Sequence, residues 1–331
     1  MSSLVLSRRL LGIVDFTFIL ETKTGLLIRM PVEALVYKIG GADAYPMVTT
    51  RKYVLEGGKE VEIEVPYIPG SSLKGRMRSL LELSKGLPLY TTDKKIWMYV
   101  RNLSAMGVEE FVKDAESRNT ISELFGWASA QYKAIIDEID RECKDRSSPP
   151  AFCQDKEKLI NKLNEVFQNA IAPGRLVFSD LFPSAEYVKK AEPRSLMDFL
   201  EYKAENRIDR ITSAADPRTI LRVKPHVEFE GSIKLLLYDI DCKKIGEYIE
   251  TIVAGLELVS NTYLGASGTR GYGKVEFKNI NVVPKAVRAT ERGVTLVEEK
   301  DCRRSFSKLE ELKNEMKTVA DCLTKLLCTK Q

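Results

Sequence analysis

The run most suggestive of chemistry is Gly265-Ala-Ser-Gly268-Thr-Arg270-Gly271-Tyr-Gly273-Lys274. Without Cβ atoms its glycines let the backbone approach a ligand closely. Arg270 and Lys274 supply positive charge, and Tyr272 a ring on which a base can stack. Such a loop suits a polyanion with flat faces. No Gly-Lys-Ser/Thr follows, so it is not a Walker loop, and a dinucleotide fingerprint needs a preceding strand and a following helix, the reverse of the order here.

A second such device is Pro69-Gly-Ser-Ser-Leu-Lys-Gly75, small residues at a predicted helix start. Backbone N–H groups and the helix dipole attract phosphate there. Ser72 is the predicted N-cap, and Lys74 and Arg78, four apart, share a face. Lys74, Arg76 and Arg78 are therefore candidate phosphate contacts, assisted by the amides of Ser71, Ser72, Gly268 and Gly271. A capped helix with solvated basic residues is the plainer alternative.

Charge sits where these devices are. The chain has 51 Lys+Arg against 47 Asp+Glu, a net of +4. Residues 66–78 carry +3, 203–224 carry +3 and 264–278 carry +2, leaving the remainder at −4. Distribution, more than net charge, points to a polyanion partner. Single-residue chemistry is sparser. Asp43, in Gly40-Gly-Ala-Asp43, is either a turn former or a carboxylate for a divalent cation. His226, the only histidine, follows Pro225 at a predicted strand start and is read as structural. The six cysteines have no CxxC pair, so no structural zinc is expected, and they are read as reduced thiols.

These groups need a scaffold. Val14, Phe16, Phe18 and Leu20 alternate as a half-buried strand. Gly57-Gly58 closes a predicted hairpin between 47–56 and 59–65. A helix follows with Leu73, Met77, Leu80 and Leu81 on one face and Gly86 at its end. Residues 87–170 are polar, helix-rich and read as an insertion. Residues 174–182 form a strand, 201–224 a protruding basic hairpin, and Val227, Phe229, Ile233, Leu235 and Leu237 another strand. An amphipathic helix over 243–260, the glycine-rich loop and a strand through Val275 to Val282 complete the order. Phe306 to Leu326 recur every three or four residues, predicting a helix over 303–328 that packs on its own domain or on a neighbouring subunit. The order is βαββαβ with long insertions, an α+β, ferredoxin-like (RRM-like) fold. The open sheet face of such a fold commonly receives single-stranded RNA. No apolar run approaches the roughly 18 residues that span a bilayer, and the start lacks a signal-peptide pattern, so a cytoplasmic protein is expected, with no membrane partner.

PYIPGSSLKGRMRSLLE, GRLVFSD, KAENRIDRITSAADPRT and LGASGTRGYGKVEF, in that order, resemble the RAMP superfamily. The closest likeness is to the backbone subunit of type III CRISPR effectors (Csm/Cmr-like). It spans most of residues 9–283 and leaves out 87–170 and the tail. The resemblance implies one domain over 1–285, including the 87–170 insertion and a thumb-like hairpin at 201–225, with a helical extension over 286–331. It implies a subunit that stacks in copies along a guide RNA (crRNA), beside other RAMP subunits and the large subunit of the complex. The thumb, with Arg207, Arg210 and Arg218, would interrupt the guide–target duplex. An Asp upstream of PYIPGSSLKG would support metal-dependent cleavage of complementary target RNA, Mg²⁺ being the expected ion. Here that residue is Asp43, in Ala42-Asp43-Ala44-Tyr45-Pro46, one residue longer before the proline than the family pattern and with Ala42 in place of an aliphatic.

A non-catalytic RNA-holding subunit would share all these binding features. Processing of the precursor guide transcript fits less well: such enzymes often rely on a histidine and carry two ferredoxin-like units, whereas one histidine and one clear skeleton are present. A general RRM protein would carry an aromatic-rich octamer, which is missing.

Overall fold

A computed structural model describes residues 8–30, 44–91, 94–99, 106–126, 132–144, 149–290 and 293–328. It is a mixed α+β structure built on antiparallel sheets. The alternation in the first strand, β1 (Leu10–Thr22), buries Val14, Phe16, Phe18 and Leu20 on one face. On either side β1 pairs antiparallel with β8 (Glu228–Tyr238) and β9 (Val275–Thr290), Phe16 lying opposite both Ile233 and Val282. Beyond β8 lie β4 (Leu176–Phe178) and β5 (Phe182–Pro183); beyond β9 lie β10 (Gly293–Glu298) and β11 (Arg304–Lys308). The main sheet runs β10-β9-β1-β8-β4.

Two helices cover the apolar face. Helix α1 (Gly70–Ser84) turns Leu73, Met77 and Leu81 inward, and α7 (Ile245–Asn261) buries Ile245, Tyr248, Ile249, Ile252 and Leu256. Their backbones come close because Gly255 has no side chain: a Cβ there would lie 2.4 Å from Met77 Cε. Helix α1 starts two residues before the expected cap. Pro69 is the N-cap, and the Gly70 N–H donates to Asp180 Oδ1 at 2.7 Å, so a carboxylate 110 residues away does what Ser72 was expected to do. The hairpin expected around Gly57-Gly58 is β2 (Val48–Val54) with β3 (Glu60–Pro66). The basic hairpin is β6 (Leu200–Ile208) with β7 (Ala215–Val223).

The insertion is helical: α2 (Val108–Glu116), α3 (Thr120–Phe125), α4 (Tyr132–Lys144) and α5 (Lys156–Asn169). Phe111, Val112, Ile135, Ile139 and Leu163 give it an apolar cluster of its own. Helix α3 instead joins the main core through Ile121, Leu124 and Phe125. A buried ion cluster fixes that junction. Arg175, 1% exposed, meets Asp241 at 2.9 and 3.2 Å, and the Tyr248 hydroxyl lies within hydrogen-bond reach of both Asp241 (3.0 Å) and Glu123 (2.9 Å), its one proton shared between them. Arg118 and Lys244 also hold Glu123, at 2.6 and 2.9 Å. Burial, with Asp241 next, pushes the Tyr248 pKa far up. A short helix, α6 (Ala185–Ala191), packs beside β2.

The tail departs from expectation at its start. Arg304–Lys308 is a strand on β9, and the helix α8 begins only at Leu309, running to Cys328. Phe306, the first apolar residue of the expected helical pattern, lies on that strand and alternates with polar neighbours. Helix α8 packs on this chain's own α7 and β9, with Leu312, Val319 and Leu323 buried. The cysteines are also corrected: rather than reduced thiols, all six form disulfides, Cys143–Cys153, Cys242–Cys328 and Cys302–Cys322. Folding brings residues as far as 86 apart to a Cα separation of 5.9 Å, close enough to bridge. Among the described residues, no helix is long and apolar enough to cross a membrane.

Candidate nucleic-acid interface

Helices α1 and α7 hold the two glycine-bearing motifs together. Arg76 donates from Nε to the Tyr263 carbonyl at 2.9 Å and lays its guanidinium 3.9 Å from the Tyr263 ring centroid. Gly268 also lies against that ring, where a Cβ would fall 1.9 Å from Tyr263 Cγ. Arg76 thus sits in α1 but shapes the glycine-rich loop. Gly268–Arg270 form a short 3-10 turn, and Gly271 follows at φ 83°, the left-handed region that favours glycine. Gly273, at φ 72°, runs so close to the Leu264 carbonyl that no side chain fits.

Not every candidate faces solvent. Arg270 does: its side chain is 48% exposed, with Nη2 2.6 Å from Ser267 Oγ and Nη1 3.9 Å from Glu205. Lys274 is exposed as well. The Gly271 N–H is taken by the Gly268 carbonyl (3.2 Å) and the Ser72 N–H by Pro69 (2.9 Å), so these two amides serve the fold. Ser71 lies exposed in the first turn of α1. Lys74 is half-buried, and burial, then the charge of Arg78, lowers its pKa. Arg78 is engaged within the protein. It binds Glu82 at 2.6 Å, the Tyr99 carbonyl at 2.6 Å and the Gly126 carbonyl at 3.2 Å, anchoring the insertion.

Tyr272 is also corrected. Instead of an exposed stacking surface it is 1% exposed, between Lys203 Nζ at 4.2 Å and the Arg222 guanidinium at 4.4 Å from its centroid. Its hydroxyl donates to Glu205 at 2.7 Å. Burial, then that carboxylate, pushes the Tyr272 pKa up to about 12. The same hydrogen bond, helped by Arg270, Lys203 and Arg218 against the effect of burial, holds Glu205 below the usual carboxylate range. Tyr272 therefore docks the glycine-rich loop on the base of the thumb-like hairpin.

Along that hairpin, Arg207 pairs with Asp216 across the ladder at 2.8 Å, and Arg218 lies opposite Glu205. The tip is an Asx turn in which Asp209 Oδ1 accepts from the N–H groups of Ile211 and Thr212, at 2.9 and 2.7 Å. Arg210 is exposed there and Ile211 is 93% exposed. The apolar side chain at the tip is not singled out by the sequence, nor are Tyr263, Lys203 and Arg222. The alternation of Glu201, Lys203 and Glu205 along β6 was the available signal.

Asp43 lies outside the described residues. Met30 and Ala44 are the nearest described residues. The Met30 N–H donates to the Tyr45 carbonyl (3.1 Å), the Leu221 N–H to Ala44 (3.0 Å) and the Ala266 N–H to Leu27 (2.8 Å). The flanks thus join both the hairpin base and the glycine-rich loop. His226 is held at φ 65° with Nδ1 2.9 Å from Glu21 Oε1, in keeping with a structural residue. The sheet face turned away from α1 and α7 is ion-paired rather than basic or aromatic: Lys285 meets Asp15 at 2.7 Å, and Lys278 meets Glu21 at 3.0 Å and Glu228 at 2.7 Å. At the end of the sheet Arg270 and Lys274 are exposed to solvent. Among the described residues no three His, Cys, Asp or Glu side chains converge to hold a metal ion.

Comparison with known proteins places this arrangement. The chain is 30% identical to the CRISPR system Cms endoribonuclease Csm3 of Methanothermobacter thermautotrophicus, covering 80% of this chain and 83% of that protein. It is 28% identical to the protein of the same name in Streptococcus thermophilus, over 73% and 81%. A solved chain of the Csm3-Csm4 subcomplex in the type III-A CRISPR-Cas interference complex overlaps 94% of this chain and 97% of its own at 18% identity, with a TM-score of 0.43. The sequence profile of the RAMP superfamily matches residues 20–276, and the chain belongs to that superfamily.

Proposed function

We propose that this chain is an RNA-binding backbone subunit of a type III CRISPR interference complex, working in the cytoplasm, that holds guide RNA and cleaves complementary target RNA. The observation that carries the reading is the loop Gly268–Lys274, locked by Arg76 on Tyr263 and by Tyr272 on the hairpin base, with Arg270 and Lys274 left facing solvent. Its natural ligand is a phosphate backbone, read by charge and not by sequence. The sheet order β9-β1-β8-β4, with α1 after β1 and α7 after β8, supports a ferredoxin-like βαββαβ core. On this reading residues 1–285 form the RAMP domain, with 87–170 as its insertion and 201–225 as the thumb, and 286–331 are an extension. Neighbouring RAMP subunits and the large subunit would meet the chain through the thumb.

Asp43 is the proposed catalytic residue. A single carboxylate suits Mg²⁺, which takes one or two protein carboxylates and completes its shell with substrate oxygens and water. A bound cation would lower the pKa of the attacking 2′-hydroxyl and stabilise charge on the phosphate. The protein's own part is to hold the backbone still, the loop on one side and the hairpin on the other. His226, tied to Glu21, supports no precursor-processing role.

The test is single-stranded RNA binding across a salt series, wild type against Arg270→Glu and Lys274→Glu. The reading expects weaker binding and a log–log salt slope flatter by roughly 0.7 for each phosphate that is no longer neutralised. Unchanged affinity and slope in both variants would remove the loop from the interface.

A further inference from the structure

A cavity opens away from the glycine-rich loop's own residues. It has a volume of about 560 Å³ and lies between the β2–β3 hairpin, β5 and α6. That size falls within the roughly 300–1,000 Å³ of sites that take small organic molecules. Three of its lining residues are basic: Arg51 and Lys52 from β2, and Lys189 from α6. Two are acidic, Asp180 and Glu230. Asp180 also joins the cavity to the phosphate-binding region already described, since its Oδ1 accepts the Gly70 N–H of α1.

A flat stack forms one wall. Tyr67 and Phe182 lie 5.8 Å apart with their planes 21° from parallel. The Arg51 guanidinium sits over Phe182 at 3.9 Å. The Phe182 ring is thus engaged by an aromatic ring and by a planar cation, and Phe182 and Arg51 both line the cavity. The hairpin that carries it is anchored: Tyr53, buried, donates its hydroxyl to the Pro183 carbonyl at 3.0 Å. Guanidinium planes are platforms for unstacked bases.

We propose that this cavity binds one unpaired nucleotide of a single-stranded RNA, its base on the Arg51 plane and its phosphate against Lys189. This rests on the reading of the chain as an RNA-binding subunit and extends it to a pocket that reads a base, where the glycine-rich loop reads only the backbone. The carboxylates of Asp180 and Glu230 accept hydrogen bonds and donate none. They therefore favour bases with an exocyclic amino group, so adenine, cytosine and guanine bind better than uracil.

The test is photocrosslinking of the full chain to an azidoadenosine-bearing oligoadenylate, with crosslinked peptides mapped by mass spectrometry. Label is expected in residues 48–54 or 179–189 as well as around 265–274. Arg51→Ala should reduce label at the cavity about tenfold, with the glycine-rich loop still labelled; Lys189→Glu, at an exposed helix position, should do the same without touching the stack. Oligouridylate should compete less well than oligoadenylate at the cavity. Label confined to the glycine-rich loop, or cavity label indifferent to both substitutions, overturns the nucleotide pocket and leaves the interface standing. Label at neither place overturns both. Competition by an acidic peptide equal to that by RNA would mean a protein segment occupies the cavity, and the proposal would be wrong.

Discussion

Arg76 lies over Tyr263 with its guanidinium carbon 3.9 Å from the ring centroid, and this contact makes two distant stretches of sequence into one surface. A helix residue that resembles a phosphate ligand in sequence instead builds the loop that carries one. Arg76→Ala should remove both the stacking and the hydrogen bond to the Tyr263 carbonyl, costing about 1–3 kcal/mol of stability and weakening RNA binding. Arg76→Lys should not restore the loop, because an ammonium cannot both stack and donate along its plane. Thermal melts and RNA titrations of the two variants check this.

Gly268→Ala tests another contact of the same ring. Its Cβ would have to displace Tyr263, so the loop must move although the core need not. The expected result is RNA affinity reduced about tenfold with a melting temperature within a few degrees of wild type. A large fall in melting temperature with intact RNA binding would show that the loop is only structural.

The buried cluster around Asp241 should be fragile. Arg175→Met leaves Asp241, 0% exposed, facing Tyr248 without its strongest partner. Removing one member of a buried ion pair costs about 3–5 kcal/mol. Because Glu123 of α3 joins the same cluster, proteolysis should then release the insertion first. Urea denaturation and limited proteolysis read the two effects separately.

Glu21 should make stability depend on acid. Burial pushes its pKa up, but hydrogen bonds from His226, Lys278 and Lys23 outweigh that and bring it to about 2. A carboxylate whose folded pKa is depressed contributes stability above its unfolded value, and that contribution disappears as pH falls from about 4.5 towards 2. At 1.36 kcal/mol per unit the contribution is on the order of 3 kcal/mol. Glu21→Gln should therefore be less stable than wild type at neutral pH and lose the least further stability over that acid range, as followed by denaturation at stepped pH.

Reduction should loosen the C-terminal helix. Cys242–Cys328 closes a loop of 86 residues and Cys302–Cys322 one of 20, and both end on α8. Loop-closure entropy puts a crosslink of the longer span at about 4–5 kcal/mol, so a reductant should lower the melting temperature by on the order of 10 °C. The double variant Cys242→Ser/Cys328→Ser should show most of that fall without reductant.

The parts of this fold that could be read from sequence are those written in local periodicity. Phe16 and Phe18 alternate with polar neighbours, Leu73 and Met77 share a helical face, and Gly57-Gly58 closes a hairpin; each pattern is complete within a short window. The parts that could not be read depend on pairing across distance. Nothing near Ser72 reveals that Asp180 will reach the start of α1, and nothing near Cys242 reveals Cys328. Arg304-Ser-Phe-Ser-Lys308 carries one apolar residue, too little to separate a strand from the start of a helix. In the site, Arg270 and Lys274 were legible because they stand in a glycine-rich loop. The role of Arg76 was not, because it depends on a tyrosine 187 residues away.

The central claim is tested most directly by assembling the effector with its guide and a complementary labelled RNA, with Mg²⁺ or with EDTA, and comparing wild type with Asp43→Ala. Regularly spaced, metal-dependent cuts are expected, disappearing in the variant while target binding survives. Cuts that persist unchanged in Asp43→Ala, or no cutting by the wild-type assembly, would contradict it and leave the chain an RNA-holding scaffold.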